Sequence, residues 1–258
     1  MNAQEMKEEF TEEKKYAQWI TVPCYQTDHS FCLKPASFMD MMQELAYRAA
    51  KALGFGYEAL HVHGIAWVLS RMHFHFYDAP KWRDDVKLET WHKGLDGLFF
   101  LRDFNLSSGD GTRLAACTSS WLVLRTDTRH LVRSDELLGL VSPDTQCQDD
   151  AIPEHCGKIV MPKDVEAEKV VTHRVAYSDV DIIGHTNNAS YIVWAMDAIP
   201  SSETFGRRVA DVQINFNKET RPGEDVDICI AKEGNAYFVE GLSEGRPSFI
   251  CRIEFEDV

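Results

Sequence analysis

The sequence has no apolar run that approaches the roughly 18 residues a membrane span requires. It also lacks a basic excess, because 27 Lys and Arg stand against 41 Asp and Glu, for a formal net charge of -14. Nucleic-acid binding depends on clustered Lys and Arg that contact phosphates, and anionic membrane surfaces attract the same residues. The composition therefore predicts a protein with no membrane span and no nucleic-acid partner.

Cysteine pairs at short spacing are absent as well. The seven cysteines form no Cys-x-x-Cys motif and their number is odd, which favours free thiols over a disulfide framework. Residues 1–15 are charged and lack the apolar segment of a secretory signal peptide. We therefore expect a cytoplasmic protein, where thiols stay reduced.

What the sequence does contain is a repeated order of strands and helices. In the first half, a strand pattern at 16–26 precedes an apolar helical pattern from Phe38 to Leu53, and four further strand patterns follow at 65–76, 86–91, 98–106 and 114–124. The second half has a strand at 170–177, a helix around 191–199, and strands at 209–216, 226–231, 237–241 and 249–255. Strands and helices segregated in this way predict an α+β fold.

Individual residues support an internal duplication. Phe76 corresponds to Phe216 and Leu98 to Phe238 at an offset of 140, and Tyr25 corresponds to Tyr177 at an offset near 153. We predict a first domain at 1–135, a polar linker at 136–168 and a second domain at 169–258. Two such copies can pair their sheets edge to edge, which removes an exposed edge from each.

The densest polar stretch, at 177–191, lies where a strand ends and a helix begins. Asp181 precedes His185 by four residues with Gly184 between them, so a turn can bring the carboxylate and the imidazole together. The free N–H groups of the following helix can stabilise an oxyanion, and a base beside such donors suits acyl transfer. Asp and Asn are also common in turns and helix caps, so the spacing alone leaves a capped loop open.

The motif Asp181-x-x-Gly-His185-x-Asn-Asn188-x-x-Tyr resembles the signature of hotdog-fold thioesterases. Motifs of the first half resemble the acyl-ACP thioesterase family of bacteria and plants, where ACP is acyl carrier protein. They are Leu45-Ala-Tyr47, Leu53-Gly-Phe-Gly-Tyr57, Gly64-Ile-Ala-Trp67-Val-Leu-Ser-Arg71, Pro80-Lys-Trp82, Phe100-Leu-Arg-Asp-Phe104 and Thr118-Ser-Ser-Trp121-Leu-Val. The resemblance covers about residues 15–258. It implies two tandem hotdog domains, each a long helix wrapped by an antiparallel sheet.

The resemblance also implies the catalytic residues, since the family uses an Asp-x-Asn-x-His pattern and a downstream Glu. These positions fall on Asp181, His185 and Glu219. The Asn position is occupied by Ile183, which cannot donate a hydrogen bond to the thioester or position a water. Many acyl-CoA thioesterases with a single hotdog use the Asp-x-x-Gly-His form without that Asn.

We expect the substrate to be bound by Asn187 and Asn188 of the motif. Trp67, Met41 and Met42 of the first half would belong to the hydrophobic core by default, but the resemblance places the acyl chain in that half, and flexible Met side chains suit an irregular chain pocket. Asp28-His29 is the first copy's counterpart of the catalytic turn, and it lacks the rest of the motif. The first half is therefore predicted to bind the acyl chain without catalysing. His73 and His75 could pair with His61 or His63 around a metal, but with no ligand-spaced Cys or carboxylate, a solvated strand face is the prediction. We expect neither a metal nor an organic cofactor.

The resulting hypothesis is hydrolysis of fatty acyl-ACP during fatty acid biosynthesis, which releases free fatty acid and ACP. An acyl-CoA thioesterase, a weakly active acyl-chain binding protein and a hotdog dehydratase are the alternatives. The expected partner is ACP carrying a fatty acyl chain, and the protein is expected to be a monomer or a homodimer. Because ACP is acidic, docking needs a basic surface. The basic residues available in the second half are Lys158, Lys163, Lys169, Arg174, Arg207, Arg208, Lys218 and Arg221.

Overall fold

The structure, a computed structural model, describes residues 9–133 and 141–257. Within these ranges the strands are β1 (Glu9–Phe10), β2 (Tyr16–Thr21), β3 (Ile65–Phe76), β4 (Asp85–Asp96), β5 (Phe99–Ser108), β6 (Arg113–Arg125), β7 (Glu168–Arg174), β8 (Arg207–Phe216), β9 (Asp225–Glu233), β10 (Ala236–Ser243) and β11 (Arg246–Asp257). The α-helices are α1 (Pro35–Ala52), α2 (Tyr57–Val62), α3 (Asn188–Ala198) and α4 (Ser201–Thr204).

All the described strands belong to one antiparallel sheet, in the order β1-β2-β4-β5-β6-β3-β8-β11-β10-β9-β7. The first six strands of that order come from the first half of the chain and the other five from the second half. The two halves meet where β3 pairs with β8, in a register that runs from Arg71 opposite Asn215 to His75 opposite Asp211. This pairing, called the seam below, confirms the predicted edge-to-edge union of two sheets.

One long helix packs against the sheet in each half. Helix α1 contacts β2 and β4, and α3 contacts β7, β9, β10 and β11. The side chains of Phe38, Met42 and Leu45 on α1 and of Ile192 on α3 are fully buried in the shared core. Since burial of such side chains is worth about 1.5–3 kcal/mol each, these helical faces hold the fold together. The predicted α+β architecture is confirmed.

Several boundaries differ from those predicted. The strand predicted at 16–26 ends at Thr21, because Pro23 interrupts it and Cys24–Gln26 form a 3-10 turn. The strand predicted at 170–177 ends at Arg174, before a second 3-10 turn at Tyr177–Asp179. Helices α2 and α4 were not predicted, since they are too short to show a helical period. No helix within the described ranges has the length and apolar character needed to cross a bilayer.

Residues 142–161, called the strap below, run along the outer face of the sheet. The Trp91 indole donates to the Asp149 carbonyl (2.9 Å), and the Ala151 N–H donates to the buried carboxylate of Asp103 (2.9 Å). Further along, the Ile159 N–H donates to the Asn215 side chain (2.7 Å) in the second half. The strap therefore crosses from one half to the other. The predicted boundary at 135/136 lies outside the described residues.

Candidate active site

The segment after β7 folds as a tight turn around Asp181. The Asp181 N–H donates to the His185 carbonyl (2.9 Å), and the Gly184 N–H donates to the Asp181 carbonyl (3.0 Å). Gly184 has a φ of +83°, a left-handed conformation that glycine adopts without steric cost. The Asp181 carboxylate accepts the Ile183 N–H at 2.9 Å. Asp181 and His185 are thus held on one turn, as the spacing predicted.

His185 contacts Glu219, which lies just after β8. The distance from His185 Nδ1 to Glu219 Oε2 is 3.2 Å, and both side chains are partly exposed. A carboxylate on Nδ1 fixes the ring orientation and leaves Nε2 to act on a substrate or water. The structure therefore brings His185 and Glu219 into direct contact, while Asp181 is held beside them through the backbone of the turn.

A buried polar network fixes the backbone next to Glu219. Thr220 has no exposed surface, and its hydroxyl lies 2.7 Å from that of Thr186 and 3.0 Å from that of Tyr191. The Thr220 N–H donates to the Tyr191 hydroxyl at 3.0 Å. Burial raises the pKa of Tyr191, which keeps the phenol protonated. Helix α3 and the turn at 181–185, named the catalytic turn below after its predicted role, are both linked to the segment of Glu219 in this way.

The first half contains the same turn at an offset of 153. The Asp28 N–H donates to the Cys32 carbonyl (2.8 Å), and the Phe31 N–H donates to the Asp28 carbonyl (3.1 Å). The Asp28 carboxylate accepts the Ser30 N–H at 2.8 Å, just as Asp181 accepts that of Ile183. Phe31, at the position of Gly184, has a φ of +64°. The duplication inferred from sequence therefore extends to single hydrogen bonds.

The two turns differ in the groups that could do chemistry. Cys32 occupies the position of His185. The Leu33 N–H donates to the Pro80 carbonyl (2.8 Å) as the Thr186 N–H donates to that of Thr220 (3.0 Å), so Ala79 occupies the position of Glu219. The first half thus lacks both an imidazole and a carboxylate at the matching positions. This supports the prediction that it does not catalyse.

A cavity of about 750 Å³ lies in the first half beside the catalytic turn. Its walls are mainly apolar and aromatic, and the turn contributes Asp181, Ile182, Ile183 and Asn187 to its lining. Ile182 is 99% exposed and Ile183 57% exposed, so the cavity opens to solvent at this turn. Other residues that line the cavity include Asp40, Gln43, Tyr47, Ala50, Phe55, Trp67, His92, Phe100, Arg102 and Trp121.

Only some of the residues expected to bind substrate line this cavity. Trp67 and Asn187 do, and the Trp67 indole is oriented by its hydrogen bond to the Phe55 carbonyl (3.0 Å). Met41 and Met42 instead pack in the main core. Helix α1 presents its more polar flank, with Gln43 and Tyr47, to the cavity. Apolar periodicity therefore identified the core face of α1, while the cavity lies along another flank of the helix.

Asn187 and Asn188 link the catalytic turn to α1. The Asn187 amide donates to Asp40 (3.1 Å) and accepts from Gln43 (3.2 Å), and the Asn188 amide donates to Gln43 (2.9 Å). Asn188 is not among the residues that line the cavity. The two asparagines thus hold the turn at 181–185 against helix α1 of the first half, a role that the motif alone did not indicate.

The start of α3 has fewer free donors than expected. The Asn187 N–H donates to the Asp179 carbonyl (2.7 Å) and the Ser190 N–H to the Asn187 carbonyl (2.9 Å). The Ala189 N–H donates to the Asn187 side chain at 3.3 Å. Among the described residues, the first-turn N–H without an acceptor is that of Asn188. It is therefore the candidate oxyanion donor of this helix.

Sequence reasoning missed Asp179, whose buried carboxylate accepts from the Ala176 N–H (2.7 Å) and the Trp194 indole (3.2 Å) and contacts His173 (2.9 Å). These hydrogen bonds, together with the positive charge available at His173, outweigh desolvation and lower the pKa of Asp179. Asp179 thereby anchors the segment before the turn to α3. The motif begins two residues later, at Asp181, and so gave no indication of this structural role.

The cavity lining also includes two buried polar side chains, Arg102 and His92. Arg102 and His92 are 7% and 6% exposed, and the Arg102 guanidinium donates to the Thr90 hydroxyl at 3.1 Å. Burial lowers the pKa of Arg102 to about 10. Burial, and to a lesser extent the charge of Arg102, lowers the pKa of His92 to about 4. His92 is therefore neutral at pH 7.

This shift makes stability depend on pH. His92 stays neutral in the folded state down to about pH 4, whereas the unfolded chain takes up a proton near pH 6.5. Stability is thus complete above pH 6.5 and is lost as the pH falls toward 4. Between pH 7 and 5 the loss from this residue is about 2 kcal/mol. In thermal melts, His92→Gln should lose less Tm over that interval than the wild type, and an equal loss would contradict the shift. Exposed His130 provides the control, His130→Gln.

Arg129 is a further site residue that sequence reasoning missed. It follows β6 in the first half, and its guanidinium forms an ion pair with Glu219 Oε2, the oxygen that also contacts His185. The backbone of Arg129 has a φ of +62°, which is uncommon for a residue other than glycine. The first half therefore contributes a charged group that contacts the His185–Glu219 pair.

Replacing this group should have a moderate effect. Exposed ion pairs are worth up to about 1 kcal/mol, so Arg129→Gln should lower kcat by about fivefold or less and leave KM unchanged. Arg129→Lys should recover part of the loss, and Arg133→Gln, a nearby exposed change, should have no effect. Steady-state kinetics on a soluble thioester measures all three, and a change in KM alone would contradict a positioning role.

Two family models match the chain. The N-terminal domain of acyl-ACP thioesterases matches residues 13–138, and the C-terminal domain matches residues 162–250. Among curated relatives, the chloroplastic oleoyl-acyl carrier protein thioesterase 2 of Arabidopsis thaliana is 25% identical over 237 residues, which cover 84% of this chain and 63% of the relative. The chloroplastic palmitoyl-acyl carrier protein thioesterase of Gossypium hirsutum is 26% identical over 213 residues, which cover 79% of this chain and 52% of the relative. The chain thus spans less than two thirds of these plant relatives.

Solved structures show the same fold over nearly the whole chain. An acyl-ACP thioesterase from Bacteroides thetaiotaomicron superposes with a TM-score of 0.82 at 22% identity, covering 95% of this chain and 99% of the other. The 12:0-ACP thioesterase from Umbellularia californica gives a TM-score of 0.82 at 20% identity, covering 95% and 98%. The two domain models together match most of the residues, in the predicted order. On this evidence the chain belongs to the acyl-ACP thioesterase family.

Proposed function

We propose that this protein hydrolyses the thioester of fatty acyl-ACP and releases a free fatty acid and ACP. The observation that carries the proposal is the His185–Glu219 pair, 3.2 Å apart, beside Asp181 at the opening of a cavity of about 750 Å³ with mainly apolar walls. That volume lies within the usual range for small-molecule sites, about 300–1,000 Å³. Membership of the family supports the same activity.

The arrangement provides for each step of hydrolysis. The acyl chain enters the cavity, which places the thioester carbonyl at the catalytic turn. A water held by His185 and Asp181 attacks the carbonyl carbon, and one of these groups takes its proton. The tetrahedral oxyanion is stabilised by the Asn188 N–H at the start of α3. Collapse breaks the C–S bond, and the thiolate takes up the proton as it leaves. Direct attack by the Asp181 carboxylate is the alternative first step.

For the carrier, we propose docking on the basic residues that surround the Glu219 segment. Arg174 lies close to Gly223, and Lys218 and Arg221 flank Glu219 in sequence. Arg129 approaches Glu219 from the other half. Arg174 and Lys218 also contact Asp225 (3.3 Å) and Glu244 (3.7 Å) at the surface, and further away Arg207 and Arg208 pair with Glu203 and Glu256. An acidic carrier that docks beside Glu219 would deliver its thioester to the catalytic turn.

The test compares two substrates that carry the same acyl chain, over C8–C18, linked either to ACP or to CoA. With ACP, kcat/KM should fall steeply as salt rises, because screening weakens the association of opposite charges. Lys218→Glu and Arg174→Glu should raise KM for acyl-ACP by about tenfold without changing hydrolysis of a short soluble thioester. Lys163→Glu, in a remote exposed position, is the matched control.

Two other outcomes would contradict the proposal. Equal salt responses and a preference for acyl-CoA would make the protein an acyl-CoA thioesterase. Saturable acyl binding without turnover would make it an acyl-chain binding protein, the alternative that Ile183 favours.

We also propose a cytoplasmic location, which the seven free cysteines support.

A further inference from the structure

Two histidines and an aspartate meet on the outer face of the seam, away from the catalytic turn. His73 and His75 lie on β3 of the first half, and Asp211 lies on β8 of the second half, directly opposite His75. His73 is 5% exposed and Asp211 6% exposed. The prediction of a solvated strand face is therefore wrong for His73. Sequence spacing could not reveal the carboxylate, because 136 residues separate His75 from Asp211.

Both imidazoles converge on one oxygen of the carboxylate. His73 Nε2 lies 2.7 Å and His75 Nδ1 2.9 Å from Asp211 Oδ2, and one donor atom from each residue lies within 4.8 Å of the others. A tetrahedral metal with bonds of about 2.0–2.1 Å separates its ligand atoms by about 3.3 Å. Opening each contact by about half an ångström would therefore admit an ion at the shared corner.

We infer that His73, His75 and Asp211 form a binding site for a divalent first-row transition metal, with Zn²⁺ as the best-matched ion. Two neutral imidazoles and a carboxylate are ligands that Zn²⁺ accepts, and a water completes four-coordination. His75 keeps 30% of its side chain exposed, which gives the ion a route of entry and leaves room for that water.

The groups around the three ligands suit a cation. The second oxygen of Asp211 accepts hydrogen bonds from Arg252 (3.3 Å) and Gln213 (3.4 Å), the kind of support that orients a ligating carboxylate. Arg252 is itself paired with Glu254. Glu154 of the strap lies 3.8 Å from the far nitrogen of His75. The carboxylates of Glu154, Asp211 and Glu254 thus outnumber the one guanidinium of this cluster.

An ion at this position would join the two halves of the chain. Its ligands come from β3 and β8, so binding would occur only when the seam is formed. An ion that binds the folded state alone stabilises it by mass action. The site therefore has a structural role at the seam and no part in the thioester reaction.

The experiment uses the full chain after treatment with a chelator. Titration with ZnCl₂ by calorimetry should show one equivalent bound per chain with a micromolar or tighter Kd, and Tm should rise. CoCl₂ should give the visible bands of a four-coordinate site, and Zn²⁺ should bleach them. His75→Asn, at a partly exposed position that tolerates an amide, should weaken binding by at least about 100-fold. His73→Asn should do the same.

His155→Asn changes an exposed histidine of the strap and should leave both titrations unchanged. Circular dichroism of the metal-free variants separates a lost ligand from a lost fold. The inference is overturned if the wild type shows no saturable binding of either metal. It is equally overturned if a folded His75→Asn variant binds as the wild type does, or if His155→Asn removes the binding.

Discussion

Asp181→Asn and Glu219→Gln are each expected to lower kcat for acyl-ACP hydrolysis by at least about 100-fold, with the fold intact. For Asp181 the loss follows from the removal of a general base, which contributes about 10²–10⁴ in rate. For Glu219 it follows from the removal of the negative charge beside His185 Nδ1, since His185 is the ring that handles the proton. Asn at position 181 can still accept the Ile183 N–H, the hydrogen bond that Asp181 makes at 2.9 Å. Gln at 219 can still accept from His185. Because these contacts survive, Tm should not change, and steady-state kinetics with thermal melts measures both quantities.

The duplicated turn offers a matched control. Asp28→Asn makes the same chemical change in the same hydrogen-bonded turn of the first half, where Cys32 and Ala79 stand at the positions of His185 and Glu219. It should therefore leave kcat unchanged. Full activity in both Asp181→Asn and Glu219→Gln would remove these residues from the site. A loss in Asp28→Asn equal to that in Asp181→Asn would mean that the turn acts through structure alone.

Ile183→Asn is expected to raise kcat by roughly tenfold. The position carries Asn in the family pattern, and in this chain the Ile side chain lines the cavity at the catalytic turn. A hydrogen bond to a charged transition state is worth about 1.5–3 kcal/mol, and 1.36 kcal/mol corresponds to a factor of ten. Because the group acts mainly in the transition state, KM should change little.

The exposure of Ile183 decides between two accounts of its presence. A buried Ile would fill a gap beneath the helix, and Asn would then cost about 1–3 kcal/mol of stability. At 57% exposure the amide stays in contact with water, so Tm should hold. Ile182→Asn, at 99% exposure, makes the same change one residue away and should not raise kcat. A flat kcat in Ile183→Asn would show that Asp181, His185 and Glu219 act without an Asn.

The fold could be predicted from sequence because its main features are local or repeated. The apolar stripe of α1, the alternation of the strands and the offsets near 140 and 153 were visible in the residues themselves. Strand ends were predicted less well, because the strand-like pattern of residues continues into the 3-10 turns at Cys24–Gln26 and Tyr177–Asp179. The order of the strands within the sheet depends on long-range pairing, which a single sequence does not display.

The site was predictable where residues of the motif are adjacent and not where distant segments meet. Asp181 and His185 share a turn, and Glu219 was located through the resemblance. Arg129 reaches Glu219 across 90 residues, and Gln43 reaches Asn187 across 144. Met41 and Met42 were expected to bind the chain because of the resemblance and the flexibility of Met side chains, but their apolar periodicity is equally that of the core, where they lie. The hydrophobic pattern of the sequence also could not predict that Arg102 and His92 line the cavity.

The matching turns at Asp28 and Asp181 show what covalent fusion of two hotdogs permits. In a dimer of identical single hotdogs, symmetry makes each substitution appear twice, so both copies must serve every role. In one chain, the two halves can differ: Cys32 and Ala79 stand in the first half at the positions that His185 and Glu219 occupy in the second. The half freed from chemistry can enlarge its interior around Trp67 and Phe100 without enlarging the other. Broken symmetry therefore permits a division of labour between the halves, and under the proposed function, substitutions that alter chain-length preference should concentrate in the first half.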